Sequence, residues 1–304
     1  MDIKLLNVFV PIFSLIFIGY ITGRFSKVQK STIKALSDLT LYILVPALII
    51  TSLAKITLTS VFLLIVLSAI FIVFVTAILA YIISKIKKLK DNTRRGFLMT
   101  TMFMNAGSLA SSICLLFYGP EGFILAIIFY ITTQILLYTL GVFIASSRKG
   151  RSNLRSLRTV ISLPLIYALL VGILFSYYRI GIPVLVLRPL ELLSSAAVPL
   201  LLITLGLQLS VIKVKISKLN IPALSTTVRM GFGLLLGFVF AYIGGLQGIP
   251  FGVVIIASAM PTKITTFPIA QKFNCDIENV TLSIFLSTAI SLLTIPSILG
   301  LLSL

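Results

Sequence analysis

Apolar residues in this chain run in long blocks, and each block is about as long as a bilayer is thick. Ten such stretches occupy roughly 4 to 23, 35 to 54, 59 to 83, 96 to 118, 122 to 146, 159 to 178, 189 to 210, 220 to 243, 250 to 271 and 280 to 303. These lengths fit spanning helices rather than barrel strands, which need only about ten residues each. The first stretch reads as an uncleaved span and not as a signal peptide: it runs about twenty residues, lacks a clear A-x-A site and is followed by basic residues.

The pattern also repeats. "VPALIIT" at residues 45 to 51 in the second stretch returns as "VPLLLIT" at 198 to 204 in the seventh. Pro11 and Gly19 of the first stretch meet Pro164 and Gly172 of the sixth at the same offset of 153. At an offset of 156, Met104, Ile113, Phe117 and Thr132 meet Met260, Ile269, Phe273 and Thr288. Apolar matches arise by chance, but prolines and glycines sharing a register argue for internal duplication. Five spans per copy is odd, so the second copy enters the membrane from the opposite side. The expected fold is all-α and integral to the membrane: ten transmembrane helices as two inverted repeats, residues 1–146 and 159–304, joined by a basic linker at 147–158. Inverted repeats of this kind are a recurrent plan of secondary transporters.

Composition agrees, with 59% hydrophobic and 11% charged residues and a mean hydropathy of +1.17, outside the range of a soluble domain. The net charge of +18 does not signal nucleic acid, because the basic residues sit in short loops between apolar spans. The loops after spans 1, 3, 5, 7 and 9 hold 4, 6, 5, 3 and 1 of the 25 Lys and Arg. The positive-inside rule then places both termini outside the cytoplasm of a cell membrane. The most basic loop, "SSRKGRSNLRSLRT" at 146 to 159, is expected inside, as an anchor.

Chemistry-bearing patterns are few. Histidine is absent and the two cysteines, Cys114 and Cys275, are isolated, so neither a disulfide framework nor a metal site is expected. No nucleophile elbow, zinc-binding helix or phosphate loop is visible, so neither an enzyme nor a cofactor is expected. Two polar interruptions stand out. "FMNAGSLASS" in span 4 holds Asn105, Gly107 and Ser108, and "AMPTKITTFP" in span 9 holds Pro261, Thr262, Lys263 and Thr265. The 156-residue offset pairs Asn105 with Pro261, so the two helix-weakening stretches occupy equivalent places. Crossing near the bilayer midplane, they would leave backbone groups free to face a substrate.

These segments resemble the auxin efflux carrier family of membrane transporters, which includes plant auxin exporters and bacterial permeases proposed for malate and related acids. The resemblance covers essentially the whole chain: "LTLYILVPALIITSL" is similar to the family's second helix, "MNAGSLASSICLLFYGPEGFILAIIFYITTQILLYTLGVF" to its fourth and fifth, "SSAAVPLLLITLGLQLS" to its seventh and "ASAMPTKITTFPIAQKFN" to its ninth. It implies a ten-helix fold with broken, crossing helices 4 and 9, a scaffold of helices 1, 2, 6 and 7, and elevator-like movement of the rest. Asn105 matches the family's crossover asparagine and Pro261 its second crossover proline. Lys263 departs from a segment that is often neutral.

Charges within spans are costly and mark candidate functional sites. Lys263 reads as an anion-binding or charge-compensating residue, or as a structural lysine on backbone carbonyls. Arg229 reads as gating and site electrostatics or as structural pairing. Asp38, at the start of span 2, reads as an interfacial residue or a proton-coupling one. Pro46 and Pro199 of the repeated heptad shape their helices. The expected function is secondary transport of a small organic anion such as an auxin-like or other carboxylate. The alternative is a membrane sensor that keeps the fold without turnover. The partners are this anion and the bilayer, with no nucleic acid; a homodimer through the scaffold helices is allowed.

Overall fold

The structure, a computed structural model, describes residues 3–26, 28–54, 61–146, 164–178, 181–211 and 219–303, with the backbone alone for residues 3–9, 30, 165 and 166. The basic linker at 147–158 and both chain ends lie outside the described residues. The chain is all-helical, and among the described residues no strand forms beyond one isolated bridge.

Helix α1 (Ile3–Phe25) leads to α2 (Lys30–Leu39), which continues through a π-turn at Thr40–Leu44 into α3 (Val45–Leu53). Pro46 has no amide hydrogen to donate to the preceding turn, and the helix widens just upstream of it. Helix α4 (Val61–Ile86) and the shorter α5 (Asp91–Met102) follow. After a break, a π-turn at Ala106–Ala110 starts α6 (Ser111–Leu136), and a further π-turn joins α6 to α7 (Val142–Ser146). Within α6 the chain kinks at Gly119, whose φ of +73° suits glycine and which Pro120 follows. It falls between the apolar stretches 96 to 118 and 122 to 146 of the sequence.

Helix α8 (Pro164–Tyr177) precedes α9 (Val184–Ser210), which carries Pro189 and Pro199 inside it. Helix α10 (Asn220–Thr227) passes through a π-turn at Val228–Phe232 into α11 (Gly233–Ile243). Helix α12 (Gly248–Ser258) stops at a second break, followed by α13 (Thr266–Lys272) and α14 (Ile277–Leu302). The Asp276 carboxylate caps α14 through the Asn279 amide at 3.3 Å and accepts from Thr93 Oγ1 at 2.7 Å, tying α14 to α5.

Six helices among the described residues are long and apolar enough to cross a membrane: Ser31–Leu53, Val61–Ile86, Ala106–Ser146, Val184–Ser210, Asn220–Ile243 and Ile277–Leu302. Shorter apolar helices stand at Val10–Phe25, Tyr167–Tyr177 and Gly248–Ser258. Two physical facts separate this from the ten apolar stretches of the sequence: the kink at Gly119 lies inside one helical run, and the stretch from 250 to 271 is interrupted after Ser258. The first and sixth stretches are described only in part.

Two groups of helices emerge from the packing. In one, α1 lies against α9 and α8 against α3. A Cβ on Gly19 would lie 2.1 Å from Ile203 O, and one on Gly206 2.0 Å from Ile16 O, so the α1 and α9 backbones touch. In the other group α4, α5, α6, α10, α11, α12 and α14 pack together around fully buried Phe97, Met102, Phe103, Phe123 and Phe129.

Candidate transport site at the crossing of two helix breaks

The two breaks meet. Helix α5 ends at Met102 and leaves Phe103 extended; α12 ends at Ser258 and leaves the chain non-helical to Thr265. Met104 and Thr262 pair as an isolated antiparallel bridge. Asn105 N–H donates to Pro261 O at 2.8 Å, and Lys263 N–H donates to Phe103 O at 3.0 Å. Amides released by the breaks are thus satisfied by each other, which allows an unwound backbone to sit among buried helices.

A cavity of about 90 Å³ opens beside this bridge. Asn105, Gly107, Ser108, Lys263 and Thr265, all expected from the sequence, line it. The opposite wall comes from the α2–α3 region and α9, through Ser37, Thr40, Thr204 and Gln208. No carboxylate is among the described residues that line it.

Lys263 is the only charged group on that wall among the described residues. Its ammonium donates to Gln134 Oε1 and lies 4.4 Å from the centroid of the Tyr130 ring. Neither partner is an anion, so no acid among the described residues offsets the charge of this ammonium. Asn105 accepts at Oδ1 from Ser108 Oγ at 2.9 Å. Gly107 has to be glycine, because a Cβ there would meet the Tyr130 ring at 2.5 Å. Across the cavity Gln208 Nε2 donates to Ser37 Oγ at 3.2 Å. Two buried hydroxyls lining the cavity, Thr204 Oγ1 and Thr265 Oγ1 on opposite walls, have no hydrogen-bond partner among the described residues.

The other residues singled out by sequence lie away from the cavity. Pro261 contributes its carbonyl to the bridge. Thr262 donates through Oγ1 to Thr100 O at 2.9 Å, and its amide to Ser287 Oγ at 3.1 Å, so it knits the crossing together. Arg229 is fully buried on the far side of the crossing, on backbone carbonyls. Asp38 is half-exposed and pairs with exposed Lys34 at 2.8 Å. Pro199 is exposed and borders a separate apolar pocket with Pro11, while Val45, next to Pro46, reaches the cavity.

Sequence reasoning missed Tyr130, Gln134, Thr204 and Gln208. The signal was there for the two glutamines, since an amide inside a spanning segment costs nearly as much as the asparagine that was noticed. Tyr130 carried no signal in a stretch rich in aromatics.

A family model described as "Membrane transport protein" matches residues 5–299. An uncharacterized transporter of Methanothermobacter thermautotrophicus is 26% identical over 285 residues, covering 93% of each chain. An uncharacterized transporter of Methanocaldococcus jannaschii is 28% identical over 302 residues, covering 95% of this chain and 96% of the other.

Proposed function

We propose that this chain, which belongs to the auxin efflux carrier family of membrane transport proteins, is a secondary transporter that exports a small organic anion such as an auxin-like or other carboxylate. The observation that carries the reading is the cavity itself: one uncompensated ammonium, amides and unpartnered hydroxyls, and no carboxylate among the described lining residues. A carboxylate entering there exchanges water for charge-assisted hydrogen bonds, which offset its desolvation.

The architecture behind this reading is ten helices in two inverted repeats with broken, crossing helices. Its support is the register of the crossing. Asn105 and Pro261, equivalent at the 156-residue offset, are hydrogen-bonded to each other, as residues near a pseudo-twofold axis would be. Likewise Gly19 packs on α9 and its counterpart Gly172 on α3, so equivalent contacts join exchanged partners. Movement is elevator-like: α1, α2, α3, α8 and α9 form the scaffold, and the group holding the crossing slides along it. The cavity lies between these groups, lined by Thr204 and Gln208 from one and by Asn105 and Lys263 from the other.

The driving force is the membrane potential, because a cell-negative potential expels a monoanion with about 2.3 kcal/mol per 100 mV. The protein sits in the cell membrane with both termini extracytoplasmic. A cysteine introduced near Met1 then reacts with an impermeant thiol reagent in intact cells, and one at Ser152 does not; the reverse labelling overturns this orientation.

A panel of radiolabelled carboxylates offered to proteoliposomes with an imposed potential tests the function. Saturable, potential-dependent flux of at least one acid is expected. Absence of flux for every acid, with folded protein verified in the same vesicles, would return the chain to the sensor reading.

A further inference from the structure

Among the described residues Arg229 is the largest side chain with no exposure, and it pairs there with no Asp or Glu. Its guanidinium holds the ends of both interrupted helices. Nη1 donates to Thr101 O at 3.0 Å and Met102 O at 3.2 Å, in the last turn of α5, and Nη2 donates to Ser258 O at 2.9 Å, the last residue of α12. These carbonyls lack helical partners because their helices stop at the crossing. Each helix C-terminus carries roughly half a negative charge, so two of them together match one guanidinium. The counter-ion of Arg229 is thus the pair of helix ends.

The surroundings are shaped for this one side chain. Arg229 sits in the π-turn Val228–Phe232. One turn on, a Cβ at Gly233 would fall 2.0 Å from Arg229 Nη2 and 2.7 Å from Ser258 O, so glycine leaves the space the fork occupies. Buried Arg95 provides a contrast: its Nη1 donates to Ala145 O and, at 3.1 Å, to Phe273 O, yet its Nε pairs with the Asp91 carboxylate at 3.1 Å. Arg95 is neutralised by an acid, whereas Arg229 neutralises backbone.

The geometry points to Arg229 as a positioning residue that cancels the negative helix ends at the crossing and so keeps the cavity's potential positive for an anion. The inference rests on the anion-carrier reading. Met102 is three residues from Asn105 and Ser258 five from Lys263, so the carbonyls it holds belong to the same two segments that line the cavity. Without the guanidinium, the unbalanced helix ends oppose the Lys263 ammonium.

Local potential can be read without knowing the substrate. In full-length detergent-solubilised protein with Cys114 and Cys275 changed to Ala, Ser108→Cys places one thiol on the cavity wall. Its reaction rates with a sulfonate-bearing and a trimethylammonium-bearing methanethiosulfonate give a ratio that rises with positive potential. Arg229→Met should lower this ratio on the order of tenfold, since one charge acts with opposite sign on the two reagents. Arg229→Lys should hold it within about twofold, the charge being kept though the fork is lost. Thermal midpoints are measured on the same samples: a merely structural role lowers them in both variants and leaves the ratio unmoved, which would overturn the proposal. Arg229→Gln, a neutral donor, is read in place of Arg229→Met if the latter does not fold. Lys263→Met separates the two readings. If it lowers the ratio and neutral Arg229 variants do not, only the inference falls; if neither lowers it, the anion reading falls as well.

Discussion

The contact between α1 and α9 and the crossing of the two helix breaks are both tight helical junctions, yet they are built from opposite materials. The first is apolar and held by the absence of side chains: Gly19 and Gly206 let one backbone rest on the other, so dispersion acts over the shortest distance available. At the crossing, polar atoms do the holding, through a two-residue bridge, the Thr262 hydroxyl and the Arg229 fork. A glycine contact has one good distance and tolerates nothing inserted. Hydrogen bonds between released backbone groups also leave room for a polar cavity beside them. The contrast teaches why the second junction is the candidate site: there helix geometry is given up, so donors and acceptors become available to a ligand.

The strongest way to break the comparison is on the glycine side. Gly206→Leu drives a Cβ into Ile16 O and Tyr20 N, which no rotamer relieves. We expect a loss of about 3 kcal/mol or more, seen as aggregation on size exclusion and a collapse of the thermal midpoint. The related contact between α8 and α3 sharpens it. At the 153-residue offset Gly206 corresponds to Leu53, and Gly172 there faces the Leu53 side chain. Leu53→Ala should therefore cost about 2 to 5 kcal/mol, as a cavity rather than a clash, and Gly172→Ala combined with it should recover part of that loss in a thermal-shift double-variant cycle.

On the polar side, Lys263→Gln should weaken binding of whichever acid the transport panel identifies by about 1.5 to 3 kcal/mol, and Asn105→Ala by about 0.5 to 1.5. Titration calorimetry checks the order, and equal losses would deny the ammonium a special part. Thr262→Val should cost about 1 kcal/mol of stability through the lost bond to Thr100 O, with little change in affinity, because Thr262 is outside the cavity. The smallest effect belongs to Asp38→Asn. Its partner Lys34 is exposed, and such pairs contribute little, so a thermal midpoint indistinguishable from the parent is expected. A marked loss of transport in that variant would instead assign Asp38 to coupling.

Background labelling by Cys275 in the experiment on the chain's orientation should be low. Burial pushes the Cys275 thiol above its ordinary value, against the lowering pull of neighbouring Arg95, so little thiolate is present at neutral pH.

Much of this molecule was legible along the chain. The apolar blocks mark helices because a bilayer offers no partner for a bare backbone, and length and hydropathy are local properties. The two breaks were legible as well, since Asn105 and Gly107 in one and Pro261 and Thr262 in the other are weak helix formers wherever they occur. Asn105, Gly107, Ser108, Lys263 and Thr265 line the cavity for that reason. Other features depended on what lies across the fold. That Thr262 turns to Thr100 and Lys263 to Gln134 follows from which wall each meets after the breaks cross. Sequence alone left Arg229 open between site electrostatics and structural pairing, because the carbonyls it binds belong to helices 127, 128 and 29 residues away. A carbonyl that has lost its helical partner looks like any other in the sequence. Its need for a cation exists only once two helices have ended at the same point in space.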